Sequence, residues 1–277
     1  MSYIKVTENV YAITDGSTVG NVCAFELPTQ LLFVDSGMNP KIVESFRSDL
    51  EKQTGKKTTT LIITHKHADH VFGNQAFKDC RIISHRDTKQ RMIEEKERWT
   101  EERLNELKKN AVDSSVYDGF EIIIPKETFE TKLTIEDFDI KILVRNTGGH
   151  TTGSSFVYYP KAKAIACGDN FFEGVFPWAG DETADPEAWI AAIKEYLALD
   201  VEFVIPGHGK VCSKVELQKW LDYLEKAVIL IRKMNTQGFS EKDIIKKLNE
   251  LEYYPPKNEQ HKELSLKRWY QVITGRS

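Results

Sequence analysis

The segment Thr64–His70, THKHADH, places three histidines and an aspartate within six residues. The run that leads into it, TTTLIIT at 58–64, is β-branched and nearly all apolar, as expected of a strand covered on both faces. In extended chain, alternate side chains point the same way, so the first two histidines can face one point while the aspartate and third histidine face a neighbouring one. This loop therefore predicts a metal site at the end of a buried strand, with ligands for two ions.

Four ligands from one loop cannot complete two metal sites, so further ligands are expected at the ends of other strands. Three residues meet that description, in glycine-bearing loops after apolar runs: His150 in NTGGHTTGSS, Asp169 in CGDNFF and His208 in PGHGK. Five of the seven histidines fall in these segments, which leaves His85 and His261 outside. Imidazole and carboxylate suit zinc, iron or manganese, and the lack of thiolate leaves the choice among them open.

The composition is that of a folded protein. With 277 residues, of which 40% are hydrophobic and 29% charged, the chain can bury a large core. Its net charge of −4 argues against a general nucleic-acid binder, which needs a basic face. The start MSYIKVTENVYAI lacks a basic stretch followed by an apolar run, and no span of apolar residues is long enough to cross a membrane. We therefore expect a soluble, cytoplasmic protein.

The order of predicted elements is typical of the α/β class. Short strands in residues 3–35 lead into an amphipathic helix, and a charged helix is predicted from about 88 to 109. A second sheet is predicted in 120–168, from FEIII, ETFE, KLTIEDFDIKILV, SSFVYYP and KAIACGD. The helix PEAWIAAIKEYLAL and the strand VEFVIPGHG follow. Strands that alternate with helices in this way indicate sheets covered by helices.

The chain changes character beyond Cys212. Three amphipathic helices are predicted in KVELQKWLDYLEKAVILIRKMN, SEKDIIKKLNELE and HKELSLKRWYQVI. This tail can serve as packing, as a pocket wall or as a homodimer surface, and Trp269 and Tyr270 are its exposed aromatic candidates. We predict two units, a catalytic domain at 1–215 and a C-terminal helical extension at 216–277 packed on it.

Over roughly residues 5–215 the sequence resembles the metallo-β-lactamase-fold superfamily. The five motifs of that family are met in order by Asp35, by HKHADH, by His150, by Asp169 and by His208. The resemblance implies an αββα sandwich with the metal site at one edge, between the two sheets. It also implies a dinuclear metallohydrolase.

The resemblance also implies a role for each site residue. One ion would be held by three imidazoles: His65, His67 and His150. The other would be held by a carboxylate and two imidazoles: Asp69, His70 and His208. Asp169 would bridge the ions, and Asp35 matches a family residue that supports the ligand loop by hydrogen bonds without being a ligand. We expect two divalent ions, with zinc first and iron or manganese as alternatives.

The carboxylate at position 169 narrows the subgroup. Cysteine-type lactamases carry a thiolate at this motif, whereas a bridging aspartate resembles glyoxalase II, lactonases, phosphodiesterases and tRNA-processing nucleases of the superfamily. Flavodiiron oxidoreductases also bridge with aspartate, but they typically have glutamate where this chain has His67. A dedicated β-lactamase is therefore not the first expectation.

The expected reaction is hydrolysis. Two divalent ions that share a water lower its pKa from about 15.7 toward neutrality, which gives a hydroxide nucleophile. We expect attack on a small ester, thioester, lactone or lactam, with phosphodiesters second. Asp69 would orient the nucleophile and pass a proton to the leaving group. Two alternatives stay open: an iron-dependent oxidoreductase of the same fold, and a nuclease that processes nucleic acid.

Substrate specificity in this fold comes from loops and appendages, here about 86–119, 171–184 and the tail. Four aromatic residues could form an apolar pocket wall beside the metals or simply cover the sheet edge: Phe171, Phe172, Phe176 and Trp178. His85 follows a strand but matches no metal position of the family, so it is predicted as a loop or pocket histidine. The expected partner is a small molecule that these features do not identify.

Overall fold

The structure, a computed structural model, describes residues 3–111 and 114–276. Two β-sheets are stacked face to face. The first has its strands in sequence order: β1 (Ile4–Thr7), β2 (Val10–Ile13), β3 (Val22–Glu26), β4 (Gln30–Val34), β5 (Lys57–Ile63), β6 (Arg81–His85) and β7 (Glu127–Phe129). The second does too: β8 (Lys132–Asp137), β9 (Ile140–Asn146), β10 (Ser155–Tyr159), β11 (Ala164–Ala166) and β12 (Phe203–Ile205).

Helices cover the outer face of each sheet. In the described residues they are α1 (Pro40–Thr54), α2 (Ala68–Val71), α3 (Arg86–Lys96), α4 (Glu101–Asn110), α5 (Pro186–Ala198), α6 (Lys214–Thr236), α7 (Glu241–Asn249) and α8 (Glu259–Thr274). The sharp start of α1 has a clear cause, since the Asn39 side chain accepts a hydrogen bond from Ile42 N and proline occupies the first turn. Among the described residues, no helix combines the length and apolarity that a membrane span requires.

Side-chain alternation along the strands sorts the apolar residues into separate cores. In β3, Cys23 points into the core between the sheets, while its neighbour Val22 packs on the α1 side. In β10, Val157 points between the sheets and Phe156 packs on the side of α5 and α6. Two sheets with a core between them and a helical layer on each outer face make four layers. The predicted αββα sandwich with a C-terminal helical extension is confirmed.

One predicted strand and one predicted helix were wrong. FEIII at 120–124 is not a strand, although its isoleucines pack partly buried against the core under the first sheet. The strand lies further on, in β7, which pairs in parallel with β6 of the first sheet and not with the second. The helix predicted over 88–109 is broken between α3 and α4, because Thr100 caps a new helix by accepting a hydrogen bond from Arg103 N.

The C-terminal helices pack on the outer face of the second sheet and share one core with α5. The prediction that Trp269 and Tyr270 are exposed was wrong, because both have a relative exposure of 0%. The Trp269 ring lies 6.0 Å from that of Trp220 and 5.9 Å from that of Phe176, centroid to centroid. A homodimer through these helices stays a prediction. Trp269 and Tyr270 cannot contribute to its surface, because both are buried within the chain. The predicted division at residue 215 also stays a prediction.

Candidate metal centre

The residues predicted as ligands lie where strands of both sheets end. β4 and β5 run in parallel in the first sheet, and β11 and β12 run in parallel in the second. Parallel strands have their carboxyl ends at the same edge of a sheet, so the loops that follow them converge. Backbone hydrogen bonds join the two sheets at this edge, from Ser155 N to Thr64 O at 3.0 Å and from Asn21 N to Gly207 O at 2.8 Å.

The first group of converging side chains consists of three imidazoles and a carboxylate: His65, His67, His150 and Asp169. His67 Nδ1 lies 3.1 Å from His65 Nε2 and 2.9 Å from His150 Nε2. Asp169 Oδ2 lies 3.6 Å from His65 Nε2 and 3.5 Å from His150 Nε2. Ligand atoms on a tetrahedral ion with bonds of 2.0–2.1 Å are about 3.3 Å apart. The spacing of these four atoms therefore suits one cation.

The second group is Asp69, His70 and His208. Asp69 Oδ2 lies 3.2 Å from His208 Nε2 and 3.9 Å from His70 Nε2. The other oxygen of Asp169, Oδ1, lies 3.0 Å from His70 Nε2 and 3.4 Å from His208 Nε2. The two oxygens of one carboxylate thus face two different groups, which is the arrangement that a bridging ligand needs.

The hydrogen bonding of this cluster also fits cations. His70 Nε2 and Asp169 Oδ1 are buried and have no hydrogen-bond partner among the described residues, although they are 3.0 Å apart. A buried carboxylate oxygen without a donor is costly, by roughly 1–3 kcal/mol or more for a charged group. A cation between the imidazole and the carboxylate would satisfy both atoms, so the residues present fit the implied metal pair.

The electrostatics give both carboxylates and His150 the protonation states that bind metal. Burial would raise the pKa of Asp169, but His70 and His208 hold it well below its usual range. Burial would also raise the pKa of Asp69, yet the same two histidines lower it to about 2. Burial lowers the pKa of His150 to about 3, so this imidazole is neutral at pH 7. Ionised carboxylates and neutral imidazole are the forms that coordinate a metal.

His208 differs from His150 in its charge state. Burial would lower the pKa of His208, but Asp169 beside it raises the pKa to about 9. The imidazole is therefore protonated at neutral pH in the absence of a metal, and a cation that binds there has to displace a proton.

Asp35 holds the ligand loop from behind. Its Oδ1 accepts a hydrogen bond from Thr64 N and its Oδ2 accepts one from Thr64 Oγ1, both at 2.7 Å. His70 Nδ1 donates to Oδ2 at 2.8 Å, which turns Nε2 toward the cluster. Asp35 lies close enough to His65 and His70 to share a metal ion with them, but these hydrogen bonds occupy both of its oxygens. The contacts are those of a residue that orients ligands.

A cavity of about 340 Å³ opens over the cluster. Its apolar wall includes Phe172, Phe176 and Trp178, three of the four aromatic residues considered for that place. Phe172 stacks on the His208 ring, with centroids 4.7 Å apart and planes 16° apart. Phe171 belongs instead to the core behind the second sheet, where it is fully buried. The volume is within the range of small-molecule sites.

The model of the metallo-β-lactamase superfamily matches residues 17–208, more than half of the chain. The chain belongs to this superfamily. A metallo-β-lactamase type 2 from Bacillus sp. strain 170 is 27% identical over 235 residues, which cover 81% of this chain and 82% of that protein. A hydroxyacylglutathione hydrolase from Brucella anthropi is 31% identical over 121 residues, 44% of this chain and 36% of that protein.

Among solved structures, a metallo-β-lactamase from Pontibacter korlensis has the same fold. Its TM-score is 0.64 at 18% identity, and the match covers 81% of this chain and 98% of that one. The superfamily relatives are hydrolytic enzymes, and this chain is a metallo-β-lactamase-superfamily hydrolase whose histidine and aspartate groups could hold metal. The predicted family, fold and enzyme class are confirmed.

Asp181 contacts a candidate ligand in this chain, and the sequence analysis missed it. It is 8% exposed, and its Oδ2 lies 3.2 Å from His67 Nε2 and 3.0 Å from Lys66 Nζ. Thr183 donates to its other oxygen from both N and Oγ1, at 2.8 and 2.6 Å. His67 thus presents Nδ1 to the cluster and Nε2 to Asp181. No periodic pattern marks the irregular segment that carries Asp181, so only its acidic side chain in a loop after Asp169 could have pointed to it.

We expect Asp181→Asn to weaken metal binding by about 10–100-fold, because the carboxylate no longer fixes the orientation of His67. Competition with a chromophoric chelator measures the affinity. The matched control is Glu182→Gln, which neutralises the adjacent carboxylate, whose side chain is 71% exposed and pairs with Arg91. Equal metal affinities for wild type and Asp181→Asn would show that packing alone orients His67.

The two histidines outside the ligand loops lie in different parts of the fold. His85, predicted as a loop or pocket residue, does not line the cavity. Its Nε2 lies 2.7 Å from Glu130 O, and its Nδ1 accepts a hydrogen bond from Asp87 N at 3.2 Å, so it caps α3. The pocket reading of His85 was wrong for this reason. His261, from the C-terminal extension, does line the cavity and packs on Trp178 with ring centroids 4.9 Å apart.

Proposed function

We propose that this hydrolase cleaves small esters, thioesters, lactones or lactams at a dinuclear metal centre, with phosphodiesters as secondary substrates. The observation that carries the proposal is Asp169, whose two carboxylate oxygens face the two ligand groups. When bound, two divalent cations, zinc first, would lower the pKa of a water molecule and polarise the scissile carbonyl.

Each residue of the cluster has a part in this proposal. The first cation would be held by His65, His67 and His150. The second would be held by Asp69, His70 and His208. Asp169 would bridge them, while Asp35 fixes His70 through the hydrogen bond to Nδ1. The chain thus supplies the ligands and keeps them in place before substrate arrives.

Asp69 is the residue proposed to handle protons. It lines the cavity, its side chain is 22% exposed, and one of its oxygens lies 3.2 Å from His208 Nε2. Because its pKa is lowered to about 2, it is ionised at neutral pH and accepts hydrogen bonds. It would orient the attacking water and carry a proton to the leaving group. Phe172 and Trp178 would shield the reacting groups from bulk water.

The size of the cavity supports a small-molecule substrate over a polynucleotide, since about 340 Å³ is near the lower end of known ligand pockets. The local likeness to a hydroxyacylglutathione hydrolase supports a thioester among the candidate substrates. An iron-dependent oxidoreductase and a nuclease remain the alternatives from the sequence. Iron in natively purified protein together with oxygen uptake would favour the first of them, and cleavage of tRNA precursors the second.

We expect chelation to abolish hydrolysis and defined zinc loading to restore it. Asp69→Ala is expected to lower kcat/KM by at least about 100-fold, because the variant loses a ligand and the proton carrier together. A panel of lactones, thioesters, lactams and phosphodiesters, assayed with mass-spectrometric metal analysis, measures both effects. The control is Asp200→Ala, whose side chain is 75% exposed. A folded Asp69→Ala protein with wild-type turnover would refute the proposal.

A further inference from the structure

The outer wall of the cavity comes from the C-terminal extension. Its contribution is one short stretch and the first turn of α8: Pro256, Lys257, Asn258, His261 and Lys262. Two hydrogen bonds on either side of these residues join the extension to the segment that carries the aromatic wall, from Phe176 N to Pro255 O at 3.0 Å and from Ala179 N to Ser265 Oγ at 2.8 Å. Because of these bonds, the extension has a fixed position in the wall of the cavity.

The charges in the cavity are separated. Its only carboxylates within the described chain are Asp69 and Asp169, and both belong to the ligand groups. Lys257 and Lys262 belong to the part of the lining that the C-terminal extension supplies, and within residues 3–111 and 114–276 neither has a carboxylate within ion-pair distance of 4.0 Å. This part of the lining therefore carries positive charge without a paired carboxylate.

The aromatic side chains lie between the two charged ends. Phe172 stacks on His208 and so adjoins the metal groups. Phe176 adjoins the other end, because Lys262 Nζ lies 5.6 Å from the centroid of its ring. This cation–π contact holds the ammonium group of Lys262 against the wall. From the metal groups outward, the cavity thus presents metal ligands, apolar rings and then cations.

We infer that the substrate carries an anionic group, such as a carboxylate, separated from the scissile bond by an apolar segment, and that Lys257 and Lys262 bind that anion. This inference rests on the proposed hydrolase function and names its substrate class. The scissile group lies at the metal ligands, the apolar segment lies along Phe172 and Phe176, and the anion reaches the two ammonium groups. Hydrogen bonds between charged groups at such partly exposed positions are worth roughly 3–10-fold in affinity each.

The test uses two thioesters that differ only at their far end. The thiophenyl ester of adipic acid ends in a carboxylate, and that of adipamic acid ends in a carboxamide of nearly the same size. We expect the zinc-loaded wild type to prefer the carboxylate by about tenfold or more in kcat/KM, mainly through KM, with a preference that falls as salt rises. The double variant Lys257→Gln/Lys262→Gln is expected to lose most of this ratio.

The matched control is Lys267→Gln, an exposed lysine on the same helix that does not line the cavity. It should keep the wild-type ratio. A second readout does not depend on turnover: calorimetric titration of the zinc-loaded proteins with 4-phenylbutyrate. Any contact between this probe and the metals is common to both proteins, so the difference in Kd between wild type and double variant reports the lysines. We expect the Kd of the double variant to be about tenfold higher.

The outcomes separate this inference from the proposed function. Equal hydrolysis of both thioesters by wild type would overturn the anion site and leave the hydrolase proposal intact. A ratio that survives in the double variant would also overturn the assignment to Lys257 and Lys262. If metal-loaded wild type hydrolyses neither thioester nor any member of the substrate panel, the proposed function fails. In that case, equal Kd values for 4-phenylbutyrate would overturn the cation site, and a tenfold difference would support it.

Discussion

Asp169→Ala is expected to lower kcat/KM by on the order of 10⁴-fold, about 5.5 kcal/mol of transition-state stabilisation. One substitution removes the carboxylate that faces both ligand groups, with Oδ2 3.5 Å from His150 Nε2 and Oδ1 3.0 Å from His70 Nε2. The metal content measured by mass spectrometry should fall together with the rate. Without Asp169, the first ligand group would keep only its three histidines. The second group would keep its two histidines and Asp69.

A glycine next to this carboxylate allows a second test of the same prediction. A Cβ added at Gly207 would lie 2.0 Å from Asp169 Oδ1, so Gly207→Ala is expected to displace the carboxylate and lower metal content without removing a ligand. Asp139→Ala, whose side chain is 77% exposed at the surface, is the control and should leave both rate and metal content unchanged. Full metal content and a wild-type rate in Asp169→Ala would contradict the bridging role.

The largest expected loss of stability follows from Trp269→Ala, at about 3–5 kcal/mol in the free energy of unfolding. Trp269 is fully buried among the rings of Trp220, Trp189 and Phe176, where the C-terminal extension meets the outer face of the second sheet. Its indole N–H has no hydrogen-bond partner among the described residues, so the loss is one of packing. Urea unfolding followed by circular dichroism measures it.

The control for this substitution is Phe138→Ala at a surface turn. Phe138 is 79% exposed, so its truncation is expected to change stability by less than about 0.5 kcal/mol. A change below 1 kcal/mol for Trp269→Ala would mean that the extension contributes little to the core and that α8 packs loosely on the sheet.

Phe176 contacts both Trp269 and the cavity. The KM of Trp269→Ala is therefore expected to rise as its stability falls.

The candidate ligands could be predicted from the sequence because they lie in loops that follow apolar runs. A strand buried on both faces is recognisable by composition, and the fold brings the carboxyl ends of such strands to one edge. His65, Asp169 and His208 satisfy that local rule, whereas their assignment to one dinuclear centre came from the resemblance to the superfamily. The αββα layers were implied by the same resemblance, and alternation within a strand explains which core each side chain enters.

The rest of the site depends on contacts that no local pattern encodes. Asp181 reaches His67 only because the irregular segment after Asp169 folds back over the ligand loop. Trp269 was predicted as exposed because an amphipathic helix does not reveal which partner covers its apolar face. His261 and Lys262 follow the break YYPPKN, and their place at the cavity depends on how α8 docks against the wall. Docking of helices is decided by packing between distant segments.

The hydrogen bonds that join the two sheets at the metal edge do not involve the ligand side chains. Ser155 N to Thr64 O and Asn21 N to Gly207 O tie together the loops of both sheets through backbone atoms. A substitution in a ligand side chain leaves these bonds in place, in contrast to small zinc domains that fold only around their metal. Ligand variants of this chain are therefore expected to stay folded, so that a loss of activity in them can be assigned to the site and not to unfolding.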